Sequence, residues 1–137
     1  MVNANSINLS KARIESAKED LITATENFRS GHYRAANNRA YYATFHAIRA
    51  VLALDSVDFK THSRVIGYFN KNYINTDLID RSLGEVIFRV SKARTGSDYE
   101  DYYEAKQEDT ENSIEGVKKI LAEVERYIEV RLGVPNI

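Results

Sequence analysis

Between residues 37 and 52 the chain reads Asn-Asn-Arg-Ala-Tyr-Tyr-Ala-Thr-Phe-His-Ala-Ile-Arg-Ala-Val-Leu. At helical spacing Asn38, Arg39, Tyr42, His46 and Arg49 fall on one face. Histidine titrates near neutrality and can take the proton of a ribose 2′-hydroxyl, while arginine can stabilise a charged phosphate. Arg39 and His46 are therefore the candidate catalytic pair for a metal-independent cleavage of RNA. The same residues can also bind an anion without reacting, or form a buried polar seam whose members satisfy one another. From Phe28 to Leu54 there are arginines and no acidic residue. An ordinary solvated helix mixes both signs, often as i,i+4 pairs, so this one-signed stripe is where function is sought.

Two further groups belong to the same search. Arg94, Asp98 and Tyr99 surround Gly96 and can either complete a site with Arg39 or fix a turn. His62 follows Lys60 and Thr61, and a helix starting there offers a phosphate its N-terminal amides beside a lysine. From Asp98 to Glu111 acidic residues interleave with Tyr99, Tyr102 and Tyr103. That stretch reads as a solvated helix face or as a contact for a basic partner.

Composition narrows the classes. The chain of 137 residues has a net charge of -1, so any nucleic-acid contact must come from a local patch. It has no cysteine, which excludes disulfides, thiol catalysis and cysteine-ligated zinc. Neither a His-Glu-x-x-His pair nor a phosphate loop, dinucleotide glycine motif or nucleophile elbow is present. No metal and no cofactor are expected. No apolar run has the length of a membrane span and the N-terminus lacks a signal-peptide core, so no membrane association and a cytoplasmic location are expected.

Helix signals dominate the elements that must position these residues. Apolar residues at Ile14, Ala17, Leu21, Ala24 and Phe28 predict a helix over about 8–29, closed by Gly31. A second follows from Tyr33 to Leu54, with Ala36, Ala40, Ala43, Ala47 and Val51 suited to close packing. After a connector over 55–60, Thr61 is placed to cap a short third helix reaching about Tyr73. Asn75 or Thr76 caps a fourth, with Leu78, Leu83, Val86 and Val90 inward and Gly96 as its break. Ser97-Asp98-Tyr99-Glu100 has the form of a capping box for a fifth helix, whose seam is Ile114, Val117, Leu121, Val124 and Ile128. Gly84 and Gly116 sit inside helices and suggest close helix approach. The expected fold is all-α: one domain over 1–137, an antiparallel up-and-down bundle of four long helices and one short one.

Three blocks then resemble one known family. Asn38-Arg39-Ala40-Tyr41-Tyr42-Ala43-Thr44-Phe45-His46-Ala47 is similar to the second-helix signature of stand-alone prokaryotic HEPN-domain proteins. Lys60-Thr61-His62, followed by Val65, Ile66 and Phe69, resembles their short middle helix. Arg94-Thr95-Gly96-Ser97-Asp98-Tyr99 resembles their segment before the last long helix. The likeness covers about residues 8–130.

The resemblance implies a bundle that often forms homodimers and is commonly paired with a minimal nucleotidyltransferase. Some such proteins are metal-independent endoribonucleases, including toxins of toxin–antitoxin pairs, and others are binding modules. The ribonuclease branch carries arginine and histidine late in the bundle. Here the segment from Arg94 to Tyr103 has no histidine, whereas Arg39 and His46 stand on the second helix.

The leading expectation is a binding module for a nucleotide, RNA or that transferase, using Asn38, Tyr42, Arg49, His62, Arg94, Asp98 and Tyr99. The alternatives are an endoribonuclease toxin acting through Arg39 and His46, and a purely structural helical dimer. Arg39 is expected to approach Asp98 or Tyr99 across helices. The tyrosines beside Asp98 are candidate acceptors for a nucleotide from a partner transferase. In the dimer, the second helix or the acidic stretch is expected near the two-fold interface.

Overall fold

The computed structural model describes residues 2–134. Five α-helices form the described chain: α1 (Ala4–Arg29), α2 (Tyr33–Leu54), α3 (His62–Phe69), α4 (Leu83–Tyr99) and α5 (Gln107–Leu132). A π-helical turn, Asn70–Ile74, continues α3. Among the described residues there is no strand. The fold is all-α, as the periodicities require.

The long helices run antiparallel. Ser10 Oγ donates to the Ala50 carbonyl and Arg13 to that of Arg49, while Arg39 pairs with Asp20, so α1 and α2 run in opposite directions. Tyr42 meets Arg94 and Asn37 meets Ser97, which opposes α2 to α4. Lys18 and Glu125 join α1 to α5 at 3.4 Å.

Alanines make this packing close. Ala36, Ala40, Ala43 and Ala47 are wholly buried within this single chain. The alanine stripe is therefore used up inside the bundle, and α2 has no alanine face left for a second subunit. Ile48, Val51 and Leu52 extend the core from α2, met by Val65 and Phe69 of α3. The seam of α5 is buried as its spacing predicts, with Val117 and Val124 at 0% exposure. Leu21 and Phe28 border the core and are only partly buried.

Helix ends depart from the sequence reading in informative ways. α1 begins at Ala4, because Asn3 Oδ1 accepts the Ser6 N–H at 2.8 Å and caps it. Thr61 occupies the N-cap position of α3, but its side chain makes no cap bond. Neither Asn75 nor Thr76 caps α4, which starts only at Leu83. The chain turns first, with Asp77 at φ 62°, and this turn buries Ile79 and leaves Leu78 exposed.

Gly96 does not break α4, which continues to Tyr99. Its role is proximity: a Cβ there would collide with the Tyr103 ring. Ser97 to Glu100 form no capping box. Ser97 is buried against Asn37, and α5 starts at Gln107 after a loop. The acidic stretch is accordingly split between the end of α4, that loop and the start of α5. Gly133 closes α5 in the left-handed region, φ 69°.

Gly116 and Gly67 make opposite demands. A Cβ at Gly116 would meet Val86 Cγ1 at 2.7 Å, a short, stiff side chain in the α4–α5 contact, whereas Gly67 faces open space. Gly116→Val should therefore lose about 1–3 kcal/mol through overpacking. Gly67→Ala should gain about 0.5–1 kcal/mol through helix propensity. Urea melts of the two variants check both signs.

Candidate functional site: a polar groove along α2

The polar side of α2 opens between α1, α3 and α4. On the α1 side, Arg39 Nη1 donates to Asp20 Oδ1 at 3.1 Å, and His46 Nε2 stands 3.6 Å from Asp20 Oδ2. One carboxylate thus binds the guanidinium and faces the imidazole. Further along, Arg49 donates to Asp58 Oδ2 at 2.8 Å, and Arg13 reaches the same oxygen at 3.3 Å. These groups are partly open; the side chains of Arg39 and His46 are 36% and 28% exposed.

On the α4 side, Asn38 Nδ2 donates to Asp98 Oδ2 at 2.8 Å, and Arg94 Nε donates to the same oxygen at 2.9 Å. Arg94 Nη2 also donates to the hydroxyls of Tyr42 and Tyr99, at 3.3 and 3.1 Å. Its guanidinium lies over the rings of Tyr41, Tyr42 and Tyr99, at 4.7, 5.5 and 5.1 Å. Cation–π attraction of this kind supplements the hydrogen bonds.

His62, from α3, completes the wall. Its Nδ1 is 2.9 Å from Tyr41 Oη, and its ring lies 4.1 Å from that of Phe45. Arg39 and Arg49 also cover α2 rings, those of Tyr42 and Phe45, at 5.0 and 5.7 Å.

The expected approach of Arg39 to Asp98 or Tyr99 is corrected. Arg39 turns to Asp20 on α1 and reaches Asp98 only through Asn38, whose Oδ1 accepts from its Nε at 3.0 Å. The acid that balances α2 lies one helix earlier, beside the core stripe of α1. Its place next to Leu21, about one turn from Ala17 and from Ala24, is the available signal that Asp20 faces α2. Arg39, His46, Asn38, Tyr42 and Arg49 line one face, and Arg94, Asp98, Tyr99 and His62 adjoin it from α4 and α3.

Three other residues escaped sequence reasoning. Arg34 donates to the carbonyls of Tyr103 and Glu100, at 2.7 and 3.1 Å, and clamps the loop after α4. Buried Asn37 donates to Ser97 Oγ at 3.0 Å. Asp58 neutralises Arg49 from the connector. None has a spacing signal, since each partner lies in another element.

Burial pushes both imidazoles below the ordinary histidine value. For His46 the opposing pull of Asp20 is outweighed by that burial together with Arg49, Arg13 and Arg39. For His62 burial acts with Arg94 and Arg49. Arg94 is the reverse case: burial opposes its charge, but Tyr42, Asp98, Tyr99 and Tyr41 hold it above the usual arginine value. Burial raises the Tyr41 hydroxyl. Among the described residues no cluster of three or more metal-ligating side chains occurs. A separate cleft of about 280 Å³ between α4 and α5 is lined by Val86, Arg89, Lys92 and Tyr103, and holds none of the groove residues.

A model of the HEPN domain matches residues 10–127. The chain belongs to the HEPN-domain family. Relatives of similar length bear this out. A UPF0332 protein of Thermotoga maritima is 29% identical over 113 residues, covering 82% of this chain and 86% of that protein. Two proteins of Methanocaldococcus jannaschii, each named "putative toxin", are 32% and 30% identical. They cover 83% and 84% of this chain, and 90% and 78% of their own lengths. No helix among the described residues of this HEPN chain is long and apolar enough to cross a membrane.

Two consequences of the groove's electrostatics can be measured. Asp20 favours the imidazolium of His46, so Asp20→Asn should lower the His46 titration midpoint further, as read from imidazole resonances by NMR. Both histidines titrate lower when folded than the ordinary 6.5 of the unfolded chain. The unfolded chain therefore binds protons first. The stability associated with the neutral rings is complete above that pH and is lost as pH falls through the folded values. Melting temperature should drop on the acid side of 6.5, and less steeply in His46→Gln.

Proposed function

We propose that this HEPN chain binds the phosphodiester backbone and bases of a single-stranded ribonucleotide in the α2 groove. It acts as a homodimer together with a separate nucleotidyltransferase, as one half of a toxin–antitoxin pair. The observation that carries the binding reading is Arg94 held over Tyr41, Tyr42 and Tyr99 in an open-sided groove that also holds Arg39 and Arg49. Aromatic faces accept bases by stacking, and guanidiniums accept phosphate oxygens in pairs. Asp20, Asp58 and Asp98 oppose these cations, but the pairs keep an open side, with 36% of the Arg39 side chain, 26% of Arg49 and 15% of Arg94 exposed. A phosphate can therefore compete for their arginines. The toxin names of the two archaeal relatives support the paired context.

A second reading has its own support. His46 and Arg39 share Asp20, which places an imidazole and a guanidinium beside one another without a metal. That pair suits metal-independent cleavage of the bound RNA.

Anisotropy of a labelled single-stranded RNA tests the binding. Three phosphate contacts should cost about 20-fold in affinity between roughly 50 and 200 mM salt. Arg39→Ala and Arg94→Ala should each weaken binding further and flatten the salt slope by about one contact's share. Chelators should change nothing. Absence of binding at low salt in the wild-type chain would reduce the groove to a structural seam.

A further inference from the structure

The groove contains two imidazoles contributed by different helices, and both neighbour the same pair of rings. His46 lies 6.2 Å from Phe45 and 6.4 Å from Tyr42; His62 lies 4.1 and 5.9 Å from them. The guanidiniums converge on those rings as well: Arg49 on Phe45, Arg39 and Arg94 on Tyr42. We propose that His62 is a proton-transfer residue and forms, with His46, a two-imidazole centre that cleaves a ribonucleotide phosphodiester seated over Tyr42. This rests on the groove binding RNA, and it assigns to His62 a chemical role beyond the phosphate contact that its place at the start of α3 suggests.

The nearest polar partner of each ring shows which nitrogen is left for a substrate. Tyr41 Oη engages His62 Nδ1 at 2.9 Å, leaving Nε2. Asp20 Oδ2 faces His46 Nε2 at 3.6 Å, leaving Nδ1. The surroundings separate the two roles. His62 has Tyr41, Tyr42 and Arg49 of α2 and Arg94 of α4 about it, with no carboxylate bonded to it. That setting favours the neutral ring, a base. His46 has Arg39 and Arg49 on its own helix and Arg13 on α1, but alone of the two it has a carboxylate partner, Asp20. Asp20 offsets part of the burial and arginine repulsion that favour the neutral ring, so His46 is the ring with a partner for an added proton and serves as the acid. The acid and base assignments rest on that one difference, a carboxylate beside His46 and none bonded to His62.

The step then balances without a metal or water. His62, carrying its own proton on Nδ1 toward Tyr41, takes the 2′-hydroxyl proton on Nε2. The 2′-oxygen attacks phosphorus, and the bond from phosphorus to the 5′-oxygen breaks. The leaving 5′-oxygen takes a proton from His46 Nδ1. The products are a 2′,3′-cyclic phosphate and a 5′-hydroxyl end. Arg39, Arg49 and Arg94 stabilise the added charge on phosphorus. Exchange with solvent restores the two rings. Tyr41 is a positioning residue, acting only by holding His62 Nδ1.

Single-turnover cleavage of an end-labelled single-stranded RNA in excess chelator, paired with anisotropy on the same RNA, is the test. The full chain should yield the cyclic phosphate end. His62→Asn keeps an amide for Tyr41 Oη but cannot titrate. It should lose at least about 100-fold in rate, with the RNA Kd changed less than about threefold. Its residual activity should lack the acid-side rise of the pH–rate profile. Tyr41→Phe should displace that rise while losing less rate. If His62→Asn does not melt cooperatively, His62→Gln takes its place.

Near-wild-type cleavage by the His62 variant, or an unchanged acid-side rise, overturns the proposal. A wild-type chain that binds RNA and leaves it intact also overturns it, with the binding reading still standing. A chain that binds no RNA even at low salt removes both.

Discussion

Helix α2 packs against α1, α3, α4 and α5, so nearly every other element takes its position from it. It must therefore supply core and groove from one 22-residue stretch. Wholly buried alanines let the neighbouring helices approach, and Ile48, Val51 and Leu52 carry the apolar bulk. What remains is a strip of Asn38, Arg39, Tyr42, His46 and Arg49, too polar to bury and too enclosed to be fully solvated. Cations in such a place need partners, because unpaired charge away from water is expensive. The structure meets that demand by drawing one aspartate each from α1, the connector and α4. The groove is the meeting place of those obligations.

How far this could be read in advance follows from where each signal lives. The bounds of α2 are those its sequence suggests, because Gly31 at φ 79° and a long run of helix formers lie within the helix's own reach. The α5 seam was equally legible, since a repeating apolar spacing is a local property. The region from Asn75 to Lys106 was not. Asn75, Thr76 and Ser97 are good capping residues by type, but a cap forms only where the chain actually enters a helix. Tertiary contacts decided that: Ile79 is drawn into the core and Ser97 is claimed by Asn37. Gly96 misleads for a related reason. A glycine in a helix can mark a break or a close neighbour, and only the Tyr103 ring distinguishes them.

The candidate site divides along the same line. The α2 face could be listed from spacing alone, as could the separate blocks at His62 and at Arg94 to Tyr99. Their cross-helix pairing could not. Asp98 is the acid expected for Arg39 because it follows a glycine and lies in the third block of the family resemblance, whereas Asp20 lies in an element with no chemical signature. Aspartate beside an apolar stripe looks like any boundary residue until the helix opposite is known. Asn38 then bridges the two halves, joining Arg39 to Asp98 through its amide oxygen and nitrogen.

The two ends of the bundle are secured by different means. At one, Asp55 after α2 receives both guanidinium nitrogens of Arg131 and the hydroxyl of Tyr73, while Tyr127 bonds the same arginine. Four side chains from three parts of the chain lock the last turn of α5 there. At the other, the loop after α4 is held by Arg34 gripping two carbonyls and by a tyrosine ring lying on a glycine. One pole is thus tied by a carboxylate gathering side chains, the other by a guanidinium gathering main-chain carbonyls. Arg94, Asp98 and Tyr99 stand beside the second, so where they sit follows from where Arg34 holds the loop.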